Sequence, residues 1–294
     1  MSLEDLFSDV DDFCRVFLPP WHRQLLTDGT RQRRRSCRLT LSEIMTMLIY
    51  FHQSQYRNFK AFYLLHLCRH CRGEFPNLLS YNRFVALIPT ALMPMCIYLH
   101  TRRSEDTGIA FVDATSLVVC HNRRIHSHKV FKQVARRGKT SMGWFYGFKL
   151  HLVVNDRGEL LAFRITPGHV DDREPVPELT QGLTGKLIGD RGYISSKLFH
   201  VLWERGLHLV TKIRKTMHNK LMPLVDKLWL RKRAIIETIN DQIKNIQQIE
   251  HTRHRSVVNA MVNVLAALVA YTHQPCKPSL NISKNELKLL TCKE

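Results

Sequence analysis

Three acidic residues, far apart in the chain, stand where carboxylates can do chemistry. Asp113 interrupts the apolar run Phe111-Val112-Asp113-Ala114-Thr115. An acid inside an apolar strand is costly unless it is paired or bound to a cation. Asp190 closes Ile188-Gly189-Asp190, ahead of Arg191-Gly192-Tyr193, and the carboxyl ends of strands are where open α/β sheets place their ligands. Glu237 stands in AIIETIN, Ala234 to Asn240, four residues after Arg233. Judged by its own segment it reads as an exposed helix residue, since an i,i+4 Arg–Glu pair on a surface is worth only about 0.3–0.5 kcal/mol. Brought together, three carboxylates repel one another and require a strong cation. Oxygen-only ligands favour magnesium or manganese over zinc. Two such ions about 3.5–4 Å apart can activate an attacking oxygen and stabilise a leaving one at a phosphodiester.

The elements that must position these acids follow from the pattern. Residues 108–120, 143–156 and 158–168 read as three strands, the last two joined by a turn at Asn155 to Gly158. A helix after Asp171 and Asp172, which can cap it, leads to a strand over 186–190. A helix over 195–205, a strand over 207–213 and a long helix from about Asp226 to Glu250 complete the series. Ile236, Ile239, Ile243 and Ile246 form one apolar stripe on that helix. Glu237 lies on a polar row with Arg233, Asp241, Lys244 and Gln248. The order implies a mixed sheet with helices on its faces.

Residues 1–104 read as a helical domain. Thr40-Leu41-Ser42-Glu43 is a capping box ahead of the apolar run Ile44 to Phe51. Further helices are expected over about 57–71 and 82–100, the latter disturbed by Pro89 and Pro94. The junction near Ser54–Arg57 has the form of a helix-turn-helix. Cys68 and Cys71, with His66 and His70, have the spacing of half a zinc site, but no complementary half follows, so this is read as a helical surface.

Composition narrows the partner. The chain has 294 residues, a formal charge of +19 and a pI near 9.9. Such an excess, spread over the whole length, points to a polyanion, with nucleic acid first and an anionic membrane surface second. The acidic start MSLEDLFSDVDDF lacks the apolar core of a signal peptide, and the eight cysteines are expected reduced, so a cytoplasmic protein is expected. The longest apolar stretch, Val257 to Tyr271, is short for a bilayer and carries Asn259 and Asn263; it reads as a buried core helix.

With FVDATSL, GDRGY and the Arg233–Glu237–Lys244 spacing in place, the sequence resembles the DDE-class insertion-sequence transposases, most closely insertion-sequence family 982. GKTSMGWFYGFKLH, ITPGHVDDRE and HTRHRSVVNAMVNVLAALVAY extend the likeness over nearly the whole chain. Leu230 stands where related transposases carry a tyrosine. The resemblance implies an RNase H-like α/β core with a five-stranded mixed sheet over 105–275, after a helical, DNA-binding 1–104 and before a tail over 276–294. It implies Asp113, Asp190 and Glu237 as catalytic metal ligands, Mg2+ or Mn2+ as cofactor, two ions, and an oligomer assembled on DNA. It implies cutting of element ends and transfer of the freed 3′-hydroxyl into target DNA, with no membrane role. Arg233 and Lys244 would steady Glu237 or hold a phosphate, and Lys149, beside His151, and the run Arg33, Arg34 and Arg35 are further candidate DNA contacts. Asp171, Asp172 and Asp241 are rival acids. Two other readings stay open: an RNase H-like nuclease that cuts without joining, and an inactive DNA-binding relic.

Overall fold

The computed structural model describes residues 1–29, 37–141, 143–213, 222–250, 254–280 and 286. The arginine run at Arg33, Arg34 and Arg35 lies outside them. In chain order the helices of the first third are α1 (Leu3–Thr27), α2 (Leu41–Gln53), α3 (Phe59–Ala61), α4 (Cys68–His70), α5 (Tyr81–Leu87) and α6 (Leu92–Thr101). Then come β1 (Ile109–Cys120), β2 (Arg136–Thr140), β3 (Gly143–Asn155), β4 (Leu160–Pro167), α7 (Val176–Leu179), β5 (Gly185–Gly189), α8 (Ser196–Trp203) and β6 (Leu207–Thr211). The chain continues through α9 (Leu224–Lys232), α10 (Ala234–Asn245) and α11 (Val257–Thr272). Contacts divide it into two compact units, Met1–Arg102 with Ile243–Pro275, and Arg103–Gln242 with the described part of Cys276–Glu294.

The first unit is helical. The capping box forms: the Thr40 side chain accepts from the Glu43 N–H, and Glu43 accepts from the Thr40 N–H. A π-helical turn over Phe62–Leu67 joins α3 to α4, and a 3-10 turn containing Pro89 separates α5 from α6. The stretch Tyr81–Thr101 is long and apolar enough to cross a membrane by length and composition alone. Here it is broken at that proline, and Phe84, Ile88, Met95 and Leu99 are buried. The sequence boundaries kept α11 with 105–275, whereas it packs against α2 and α6. Its surface is apolar nearly all round, with Val262, Ala266, Leu268 and Val269 fully buried, as a central helix of a bundle requires.

The second unit is a mixed six-stranded sheet in the order β2-β3-β1-β5-β6, with β4 also on β3. β3 runs antiparallel to β1, β2 and β4, while β5 is parallel to β1 and β6. This is the α/β sheet with flanking helices expected from sequence, with one more strand than the five expected. The added strand, β2, pairs with Arg136↔Gly147 through Thr140↔Gly143, and β4 takes over the same edge of β3 from Phe148. Glycines permit that crowded junction. A Cβ at Gly147 would stand 2.0 Å from the Leu117 carbonyl oxygen, and one at Gly138 would stand 2.1 Å from that of Gly168.

Opposite faces of β1 bury against different helices. Ala110 and Val112 belong to a cluster with Leu179, Leu198 and Leu202 of α7 and α8. Phe111, alternating with them, packs its ring edge-on to Trp229 of α9. Two sequence expectations are corrected. Asp171 and Asp172 do not cap a helix: α7 spans four residues and begins after Pro175 without a side-chain cap. The single long helix over 226–250 is two, interrupted at Arg233, where the Ile236 N–H bonds the Arg233 carbonyl at i,i+3. The stripe on α10 buries Ile236, Ile239 and Ile243, but Ile246 lies beyond its end and is exposed.

Candidate active site

Two of the three acids are placed by strand register. β1 and β5 run parallel, and their last pair is Phe111↔Ile188. Asp113 and Asp190 each follow that pair by two residues, so they stand abreast where the two strands part, with Asp190 just past the end of β5. That is the crevice outside the carboxyl ends of parallel strands. Alternation along β1 turns Asp113 to the same side as Phe111, the side covered by α9 and α10. The third element arrives from there. Asn240 of α10 donates to Asp113 Oδ2 at 2.8 Å, and Glu237 sits one turn earlier on the same helix.

The electrostatics tie these groups together. Burial pushes the Asp113 carboxyl up to about 6, and Glu237 pushes it further in the same direction. Arg233, the Ala114 N–H and Asn240 oppose that rise. The Arg233 guanidinium, mostly buried, forms an ion pair with the half-exposed Glu237. Tyr193 is buried, and its hydroxyl lies within electrostatic reach of Asp113, Asp172, Arg233 and Asp190. Burial, then Asp113 and Asp172, hold its ionisation well above the ordinary phenol value. Its ring supports the turn before Asp190, 3.1 Å from where a Cβ on Gly189 would stand. One turn of backbone, the Tyr193 N–H to the Asp190 carbonyl at 3.0 Å, fixes the two residues to each other.

The raised Asp113 carboxyl sets a pH dependence. In metal-free buffer the folded protein binds this proton up to about pH 6, and the unfolded chain only up to its ordinary 3.8. Asp113 therefore contributes stability below pH 3.8 that is lost as pH rises through about 6. The loss is on the order of 2–3 kcal/mol and is expected to vanish in Asp113→Asn. Urea unfolding of both proteins in EDTA at pH 4 and pH 7 measures the difference; equal pH dependence in the two would contradict it.

The family model described as "Transposase DDE domain" matches residues 103–257, more than half of the chain. The chain belongs to that family. A solved structure, "Cryo-EM structure of piggyBac transposase synaptic complex with hairpin DNA", is similar at a TM-score of 0.49 and 12% identity, covering 92% of this chain and 72% of that one. No curated protein sequence matches.

DDE transposase domains generally use divalent metal ions. Among the described residues no three His, Cys, Asp or Glu side chains stand close enough together to hold one. Glu237 is turned onto Arg233. The donors nevertheless fit such an ion in chemistry. All are oxygens, and two buried oxygens on residues around Asp113, Tyr193 Oη and Asn240 Oδ1, have no hydrogen-bond partner in the protein. Buried polar atoms left in that state cost on the order of 1–3 kcal/mol each unless something else satisfies them.

The other candidate residues of this transposase divide. Lys244 pairs with Glu250 at 3.2 Å. Lys149 and His151 alternate onto the sheet face opposite Asp113. Neither is an open strand surface: Lys149 is buried, its ammonium donating to the Val170 carbonyl at 2.8 Å and to Asp172 at 2.7 Å. His151 is fully buried against Thr166 at 2.8 Å, and burial pulls it down to about 4, so it is neutral. Asp171 is held down to about 2 by the Arg173 guanidinium. Asp241 is exposed. Sequence reasoning missed Asn240 and the burial of Tyr193. Asn240 had a signal: it falls four residues after Ile236 and three before Ile243, a polar residue set in the apolar stripe.

Proposed function

We propose that this DDE transposase cuts DNA at the ends of an insertion sequence, of the family 982 type, and joins the freed 3′-hydroxyl to target DNA. The observation that supports this most is the register that sets Asp113 and Asp190 abreast at the parting of β1 and β5, with Asn240 and Glu237 of α10 brought over Asp113.

Asp113, Asp190 and Glu237 would hold the divalent ions, Mg2+ or Mn2+ and two in number, which when bound supply positive charge at the reacting phosphodiester. The remaining roles belong to the chain. Asn240 fixes one oxygen of Asp113 and so orients the other. Arg233 neutralises Glu237 and offsets the charge of Asp113. Released from Glu237, that guanidinium would be available to a DNA phosphate. Tyr193, its ionisation held well above the ordinary phenol value, has a hydroxyl without a protein partner that would be able to donate near Asp113 and Asp190. Lys149 is assigned to the Asp172 ion pair instead of DNA. Residues 1–104, the arginines at Arg33, Arg34 and Arg35 among them, would bind the element ends, and two ends handled together imply an oligomer on DNA.

The test combines wild-type protein, a labelled duplex from the element end, a target plasmid and Mg2+. The expected products are a nick exposing a 3′-hydroxyl and a labelled strand covalently joined to the plasmid. Nicking without joining would make the protein a plain nuclease. Specific end binding with neither product would make it a relic that retains the fold.

A further inference from the structure

Between Asp113 and Asp156 the chain contains no Asp or Glu, yet it holds eight Lys and Arg. Every Lys and Arg from Arg123 to Lys139 is exposed. Apart from Lys149, which Asp172 pairs, nothing within the stretch balances this charge, so the segment after β1 and the strand β2 carry a strip of positive potential. At its end stands Trp144, 57% exposed as the second residue of β3. A tryptophan left that open forfeits much of the largest burial gain available to any side chain. Its place is nonetheless fixed. Lys139 lies opposite it in the β2–β3 register, the Asn122 amide donates to its carbonyl at 2.6 Å, and Arg137 and Lys139 both lie 5.8 Å from its ring centroid.

We infer that this ribbon is a binding surface for an unpaired DNA strand, with Trp144 as the stacking platform for a base and Arg137 and Lys139 as contacts to the flanking phosphates. The choice of an unpaired strand follows from the chemistry. A duplex presents phosphates and base edges but hides the base faces, whereas a single strand offers a π-face to a ring set among cations. Arg123, Arg124, Lys129 and Lys132 extend the phosphate track. The identity of the nucleic acid as DNA rests on the transposase reading; the surface itself does not depend on the acid site.

The test uses the full chain and fluorescein-labelled oligodeoxynucleotides of one sequence, single-stranded and duplex, read by anisotropy. Trp144→Ala is expected to weaken single-strand binding about ten-fold or more and duplex binding less than two-fold. Trp144→Phe, which keeps a ring, is expected to stay within about three-fold of wild type. Arg137→Gln with Lys139→Gln is expected to lower both the affinity and its salt dependence. Equal losses on both oligonucleotides would overturn the inference in favour of duplex tracking, and no loss on either would remove the ribbon from DNA binding. Nicking of the element end by the same preparations keeps the two readings separate: a failed acid site leaves the stacking result intact, and a failed ribbon leaves nicking intact.

Discussion

Asp113→Asn is expected to bind element-end DNA with nearly wild-type affinity and to nick it on the order of a thousand-fold more slowly, about 4 kcal/mol of lost transition-state stabilisation. The substitution keeps size and shape and removes one charge. An asparagine oxygen can still accept from the Asn240 amide, which now bonds Asp113 at 2.8 Å, so α10 keeps its tie to β1. A neutral amide also suits this buried position better than a carboxylate whose proton affinity burial has already raised to about 6. The variant should therefore unfold at the same or higher urea concentration than wild type at pH 7, while its nicking collapses. A merely structural Asp113 would give the reverse, lowered stability with activity retained per folded molecule.

Glu237→Gln separates two readings of one residue. Glu237 looks like an ordinary helix acid, half-exposed and paired with Arg233 at i,i+4. If that were all, glutamine would cost about 0.3–0.5 kcal/mol and activity would survive. As a metal ligand it should not be replaceable, because a neutral amide cannot supply the charge a hard divalent cation requires. Nicking is expected to fall by several orders of magnitude, with the metal-free melting temperature within about 2 °C of wild type. Asp241→Asn, one turn on and exposed, is the control and should retain most activity. Normal nicking by Glu237→Gln with a dead Asp241→Asn would transfer the third ligand to Asp241.

The parts of this picture that the sequence made legible are those written in hydrophobic pattern. β1, β3, β4, β5 and β6 bury at least one continuous or alternating apolar face, so their runs stand out. β2 does not: Arg136, Arg137 and Lys139 are exposed and only Gly138 is buried, so an edge strand of this kind carries no periodic signal. The helix interruption at Arg233 was hidden for a related reason. No glycine or proline marks it, and the turn there tightens to an i,i+3 bond while the residue keeps right-handed helical angles. The burial of Lys149 was not legible, because a cation on a strand looks exposed until its partner is known. That partner, Asp172, lies 23 residues away on a loop that the sequence assigned to a helix cap. The grouping of α11 with the first helices is likewise a long-range property. Its uniform apolarity says that it is buried but not against what.

Asp113, Asp190 and Glu237 are expected to act as one site for a divalent cation, although Glu237 is paired with Arg233. The most direct measurement is Mn2+ titration of the protein bound to element-end DNA, followed by the electron paramagnetic resonance signal of free Mn2+. The expected result is saturable uptake by wild type that weakens about ten-fold or more in each of Asp113→Asn, Asp190→Asn and Glu237→Gln, and is unchanged in Asp241→Asn. Undiminished Mn2+ uptake by all three acid variants would contradict it.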